Sequence, residues 1–297
     1  MFDSFTSRRI RIGDTTVAGV VGGSGPPVLL LHGYPQTHVA WHRVAPVLAQ
    51  HFTVVATDLR GYGDSTAPPT DDDHMPFSKR AMAAEQVAVM RALGFERFAV
   101  VGHDRGGRVG YRLALDHPSY VTAFASLTVI PTSEVWQRTD KAFALGAYHW
   151  FLFAQPHDLP ERLVGADPDF FLDWTLRKMT RGRGFLVPEA VAEYRRCFRR
   201  PEVRHAMMED YRAAASIDAD IDAADTQAGR KLACPVHVLW EASRHADGET
   251  PLDTWRRWAD VVSGQAIDAG HLMAEEVPDA VLAGILPILR QHAGATR

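Results

Sequence analysis

In the segment Gly102-His103-Asp104-Arg105-Gly106, a carboxylate stands between two glycines. The apolar pair Val100-Val101 precedes it, and helical spacing follows from Arg105. A Gly-x-nucleophile-x-Gly pattern in that setting forces its central residue onto a sharp strand-to-helix turn at the carboxyl edge of a sheet. The glycines are needed because side chains there would collide with neighbouring backbone. Asp104 is already ionised at neutral pH, whereas a serine in its place must first lose a proton. A carboxylate attacks amides and esters poorly. It does displace a good leaving group, or open a strained ring, at an sp³ carbon. The product is an alkyl ester on the enzyme, which water must then hydrolyse. Capping of the following helix, a common task for aspartate, would not require glycine on both sides, so Asp104 reads as the nucleophile.

Ester hydrolysis needs a general base. Nucleophile, acid and histidine follow one another in that chain order in this arrangement. His271, in Asp268-Ala269-Gly270-His271, comes after a predicted strand and shortly before a helical run from Pro278. Position therefore selects it from the chain's 14 histidines. His32-Gly33-Tyr34-Pro35 follows another strand and reads as an oxyanion loop. The backbone N–H groups of Tyr34 and Arg105 would hold the non-attacking oxygen of Asp104, then the tetrahedral intermediate of ester hydrolysis. Arg105 and Arg108 lie three residues apart in the first helical turn and share a face. Each cation opposes the helix dipole at a cost of roughly 0.3–1 kcal/mol. An anion would compensate, and a substrate carboxylate suits two guanidinium groups. The turn-rich segment from Asp58 to Ser65 reads as mainly structural.

These residues must be held by a sheet. Short apolar runs alternate with helical patterns over the first 130 or so residues, the pattern of parallel βα units. Arg9 to Val21 reads as an opening hairpin. Strands are expected at 28–32, 52–57, 98–103 and 123–129, with helices at 41–51, 78–93 and 105–116. From about Pro131 to Asp225 only helical segments rich in Trp, Phe, Tyr and Arg appear. Strand, helix, strand and helix then follow at 235–240, 252–262, 264–268 and 278–291. The fold class is α/β: a mostly parallel sheet flanked by helices, formed by residues 1–131 and 226–297, with an inserted all-helical cap at 132–225. Composition agrees with a globular enzyme, at 46% hydrophobic, 23% charged and net charge −4. That balance gives no basis for nucleic-acid binding, and no Lys/Arg run marks a membrane partner. Cys197 and Cys234 read as reduced, buried thiols. Met1 to Pro27 has no apolar signal region, so a soluble cytoplasmic protein is expected.

With Gly102-His103-Asp104-Arg105-Gly106-Gly107-Arg108 in place, the chain resembles the fluoroacetate (haloacetate) dehalogenases. These are Asp-nucleophile members of the α/β-hydrolase superfamily, alongside haloalkane dehalogenases and epoxide hydrolases. The resemblance spans nearly the whole chain. It includes Tyr148-His149-Trp150-Phe151 and Glu209-Asp210-Tyr211-Arg212 in the cap, and Gly270-His271 with Glu275-Glu276. It implies that Asp104 attacks the halogen-bearing carbon while Arg105 and Arg108 grip the carboxylate of a small halogenated acid. It also implies that His149, Trp150 and Tyr211 donate hydrogen bonds to departing fluoride. No cofactor or metal is expected, and homodimerisation is common among such proteins.

One position departs from the family pattern. The triad acid should follow the sixth core strand, where this chain has Thr128 in Leu127-Thr128-Val129-Ile130-Pro131-Thr132. Asp247, Glu249 and Glu241 are the available substitutes. Neutralising a triad acid lowers turnover by roughly 10⁴-fold in serine proteases, so intact ester formation with slow ester hydrolysis is the expectation. Two other readings compete. An epoxide hydrolase would share the Asp/His chemistry and use Tyr148 and Tyr211 to protonate the ring oxygen. A non-turnover protein on the same fold would only bind carboxylates.

Overall fold

The computed structural model describes residues 1–244 and 248–294. Among these, eight strands form one sheet: β1 (Phe5–Ile12), β2 (Thr15–Gly22), β3 (Pro27–Leu31), β4 (Thr53–Thr57), β5 (Phe98–His103), β6 (Val121–Leu127), β7 (Val236–Glu241) and β8 (Val262–Ile267). Their spatial order is β1-β2-β4-β3-β5-β6-β7-β8. The β1/β2 hairpin and the β2/β4 pair are antiparallel, and every pair from β4 to β8 is parallel. The chain steps from β3 out to β4, then returns to the other side of β3 as β5. That reversal opens a crevice at the carboxyl ends of β3 and β5, where ligands of open α/β sheets bind. His32-Gly33-Tyr34 leaves β3 there, and Asp104 leaves β5 beside it.

Strand alternation divides the core into two layers. Leu29, Leu31, Val55 and Val100 face one layer, with Met82 and Met90 of α2 (Lys79–Ala92) and Val109 and Leu113 of α3 (Arg105–Asp116). Val28, Leu30, Val54 and Val101 face the other. There they meet Val44 and Leu48, in and beside the single turn α1 (Ala45–Leu48), and Val281 and Ile285 of the last helix (Pro278–His292). Burial on both faces explains why these strands are continuously apolar.

The cap comprises α4 (Thr132–Gln137), α5 (Lys141–Gly146), α6 (Tyr148–Phe153) and α7 (Leu159–Gly165), followed by α8 (Pro168–Met179), α9 (Pro188–Phe198), α10 (Pro201–Ala215) and α11 (Ile217–Gln227). No strand interrupts this stretch. Then come α12 (Pro251–Trp258), α13 (Met273–Glu276) and α14 (Pro278–His292).

Among the boundaries that differ from the sequence reading, three have a local physical cause. In place of a helix over 41–51 there is a 3₁₀ turn at His38–Trp41 and then α1, which begins afresh around Pro46 because proline lacks the N–H a continuous helix needs. Strand β6 ends at Leu127 because Thr128 turns to φ +67°. Helix α12 stops at Trp258, where Ala259 is extended, and Val262 opens β8. Both cysteines are buried. Among the described residues no helix is long and apolar enough to cross a membrane.

Candidate active site

Asp104 occupies the turn between β5 and α3 at φ +47°, ψ −116°, and its side chain does not cap the helix. The capping role is thereby excluded, and the flanking glycines have a steric cause. A Cβ on Gly102 would stand 2.5 Å from the Gly106 carbonyl oxygen, and one on Gly106 would stand 2.3 Å from that of Leu31. The His32–Pro35 loop presses on Asp104 equally closely, since a Cβ on Gly33 would lie 2.5 Å from Cβ of Asp104. Among the described residues, neither the Tyr34 nor the Arg105 backbone N–H donates elsewhere in the protein. Both therefore stay available to an acceptor beside Asp104.

His271 reaches back from the loop after β8. Its Nε2 lies 3.0 Å from Oδ2 of Asp104, and its Nδ1 lies 3.3 Å from Oε1 of Glu241, the last residue of β7. Burial alone would lower the His271 pKa, but the hydrogen bonds to Asp104 and then Glu241 outweigh it and raise it to about 9. Burial would raise the Asp104 carboxyl. The hydrogen bond and charge of His271 overcome that and hold it well below the usual carboxylate range. The resting pair is therefore imidazolium and carboxylate. His103, beside it, is driven down to about 4 by burial and then by the His271 charge; its Nε2 lies 2.8 Å from the His271 carbonyl oxygen.

Of the three carboxylates the sequence offers in place of a triad acid, Glu241 is the one that, among the described residues, lies beside His271. Thr128 follows directly on β6, and its buried Oγ1 has no partner among the described residues. The carboxylate that orients His271 comes instead from the end of the next strand, where Glu241 also receives Arg181 at 3.0 Å. Glu249 is exposed and pairs with Arg138 and Arg257. Asp247 lies outside the described residues.

The two arginines are not equivalent. Arg105 is fully buried and already spent on Asp210 of α10: Nε donates to Oδ2 at 2.8 Å and Nη2 to Oδ1 at 2.6 Å. Its Nη1 has no partner among the described residues. Arg108, 3% exposed, donates from Nη1 to the Ile130 carbonyl at 3.0 Å and to Oγ1 of Thr132 at 3.2 Å. No carboxylate pairs with it among the described residues, and its Nε is unpartnered. Burial and the neighbouring Arg105 charge both lower its pKa.

Cap aromatics wall in these cations. The Arg105 guanidinium lies 4.2 Å from the Tyr211 ring centre, and that of Arg108 lies 4.7 Å from Trp150, both within cation–π range. His149 stacks on Tyr34 at 5.2 Å and meets Tyr211 edge-on at 5.5 Å. Burial lowers the His149 pKa to about 3, so its ring is neutral and one nitrogen carries a hydrogen. The buried Tyr211 hydroxyl has no partner among the described residues, and burial together with the Asp104 charge raises its pKa. His149, Trp150 and Tyr211 are thus drawn together with Asp104, Arg105 and Arg108. Tyr148 packs on the other edge of His149, against Phe171 and below Lys178.

Sequence reasoning gave no role to the ions beneath this wall. Lys79, buried in α2, binds Asp210 and also Asp218 at 3.2 Å. Tyr62 donates to Asp210 at 2.8 Å. One cap carboxylate therefore ties α2 to α3, the helix that follows Asp104. A lysine at a buried helix position is the only sequence trace of this.

A family model described as the α/β-hydrolase fold matches residues 26–273, and the chain belongs to that family. Its relatives divide by activity. The chain is 43% identical to a fluoroacetate dehalogenase from Burkholderia sp. over 94% of its length and 92% of that protein's. It is 32% identical to a soluble epoxide hydrolase from Corynebacterium sp. (strain C12) over 89% of this chain and 90% of that one. A solved Pseudomonas aeruginosa structure, provisionally named an epoxide hydrolase, shares 55% identity with a TM-score of 0.94, covering 98% of this chain and 97% of that one.

Proposed function

We propose that this α/β hydrolase is a hydrolytic dehalogenase of short 2-haloacids, the fluoroacetate and chloroacetate type. The observation that carries this reading is Arg108, a buried cation with no carboxylate partner among the described residues, in the first turn of the helix that starts at the nucleophile. A buried unpaired charge is costly, and a substrate carboxylate between Arg108 and the unused Nη1 of Arg105 would offset that cost. The same grip directs the adjacent carbon towards Asp104.

Asp104 then forms a C–O bond to that carbon as the C–X bond breaks, and the halide leaves towards the donors of His149, Trp150 and Tyr211. Forming the ester removes the Asp104 charge, the chief support of the His271 proton. His271 sheds that proton and becomes a base oriented by Glu241. It deprotonates water, which attacks the ester carbonyl while the backbone N–H groups of Tyr34 and Arg105 stabilise the oxyanion. Collapse returns carboxylate, imidazolium and a 2-hydroxy acid. The sum is haloacid plus water giving hydroxy acid, halide and a proton.

Epoxide opening is the second reading, favoured by the unpartnered Tyr211 hydroxyl. Halide release from fluoroacetate and chloroacetate, set beside hydrolysis of a simple neutral epoxide, tests the proposal. Arg108→Gln should remove halide release and spare any epoxide opening. Epoxide turnover without halide release would overturn the dehalogenase reading.

A further inference from the structure

The cap carries a second group of chemistry-bearing side chains that the reaction above does not use. His157 precedes α7, Glu161 lies on α7 and His205 lies on α10. With Pro201, Glu202 and Arg204 they line an open cleft of about 370 Å³. One potential ligand atom from each of His157, Glu161 and His205 lies within 4.8 Å of the other two. We propose that this cleft binds a divalent transition metal, zinc being the representative ion, through these three side chains.

Two imidazoles and one carboxylate match borderline ions such as zinc, whereas calcium and magnesium take oxygen ligands. Zinc bonds of roughly 2.0–2.2 Å in a tetrahedron place ligand atoms about 3.3–3.6 Å apart. Nδ1 of His205 and Oε1 of Glu161 already stand 3.1 Å apart. The exposed His157, whose ring meets that of His205 edge-on at 5.5 Å, closes the site by a side-chain rotation. Metal ligands are ordinarily fixed by a further hydrogen bond, and Glu161 has one. Arg212 donates Nη2 to Oε2 at 3.0 Å and Nη1 to Oε1 at 2.8 Å. Its charge is shared with Glu209 at 2.6 Å, which moderates its repulsion of a dication. When the metal takes Oε1, Oε2 remains for Arg212. The fourth position is left to water. The ion would join α7 to α10, the helix that also presents Asp210 and Tyr211, and so brace the cap from outside the reaction site.

The test is calorimetric titration of metal-stripped protein with zinc, paired with thermal melts with and without zinc. The wild type, His157→Ala, His205→Ala and a control at another exposed histidine, His51→Ala, are compared. Binding of one zinc by the wild type and the control is expected, with a zinc-dependent rise in Tm. Each ligand variant should lose that site or bind more than about tenfold more weakly. Wild type that binds no zinc, or His157→Ala binding as tightly as wild type, would overturn the site. His157 is exposed, so its variant decides the matter even if His205→Ala folds poorly.

Discussion

Nδ1 of His271 faces Oε1 of Glu241 at 3.3 Å, from the loop after β8 to the last residue of β7. These strands are paired in parallel, Glu241 against Ile267, which brings the two residues to the same sheet edge. A carboxylate at that edge can fix the imidazole's orientation and also stabilise its cation, and the neutral hydroxyl of Thr128 cannot supply that charge. Replacing Glu241 with Gln therefore separates the two half-reactions. Steady-state turnover should fall by up to about 10⁴-fold, by analogy with triad acids elsewhere. Intact mass after mixing with chloroacetate should show one carboxymethyl group added to the enzyme. Normal turnover without an adduct would mean that Glu241 does not support the base.

Arg108 should affect activity and stability in opposite directions. Arg108→Met removes the proposed carboxylate anchor, and kcat/KM for chloroacetate should drop by roughly 10²–10³-fold, the scale for losing one member of a buried charge pair. In the absence of substrate the same change removes a buried unpaired cation, so Tm should hold or rise. A lower Tm together with unchanged KM would show that Arg108 is a structural residue.

The elbow was legible because its constraints are local. Gly102 and Gly106 are dictated by backbone atoms within the turn and the adjoining strand end, and Arg105 and Arg108 share a face through helix geometry. The cap was legible only as a change of pattern. The partners of these residues were not legible, because sheet order and cap closure create them. Asp210 lies 105 residues from the arginine it binds. Glu241 lies 30 residues from its histidine, and only the β7/β8 pairing selects it over Glu249.

Fluoride is the stronger hydrogen-bond acceptor and the poorer leaving group, so it should depend more on the donors around it. Tyr211→Phe and His149→Phe should each slow fluoroacetate turnover more than chloroacetate turnover, widening the ratio by about tenfold or more. Equal losses on both substrates would assign these side chains to packing.

Glu275, on α13, gives the fold a pH dependence of its own. Burial raises its pKa to about 8, against the hydrogen bonds from Tyr194 at 3.1 Å and Gln36 at 2.5 Å. The folded state therefore holds a proton that the unfolded chain releases near its ordinary pKa of 4.5. Its contribution to stability is full below that value and is lost as pH rises through about 8. Glu275→Gln should leave Tm nearly unchanged near pH 5 and raise it, relative to wild type, at pH 8 and above. Parallel Tm curves across that window would show that Glu275 does not titrate there.

The central claim is that Asp104 bonds to the substrate carbon and water then attacks the ester. It is tested most directly by a single turnover of fluoroacetate or chloroacetate, with enzyme in excess, in ¹⁸O-labelled water. Hydrolysis at the ester carbonyl should leave the label in the Asp104 carboxylate, detected in the peptide that contains it. The hydroxy acid should carry an unlabelled oxygen taken from Asp104. Label in the hydroxy acid with none in Asp104, or no hydroxy acid formed at all, would contradict the account.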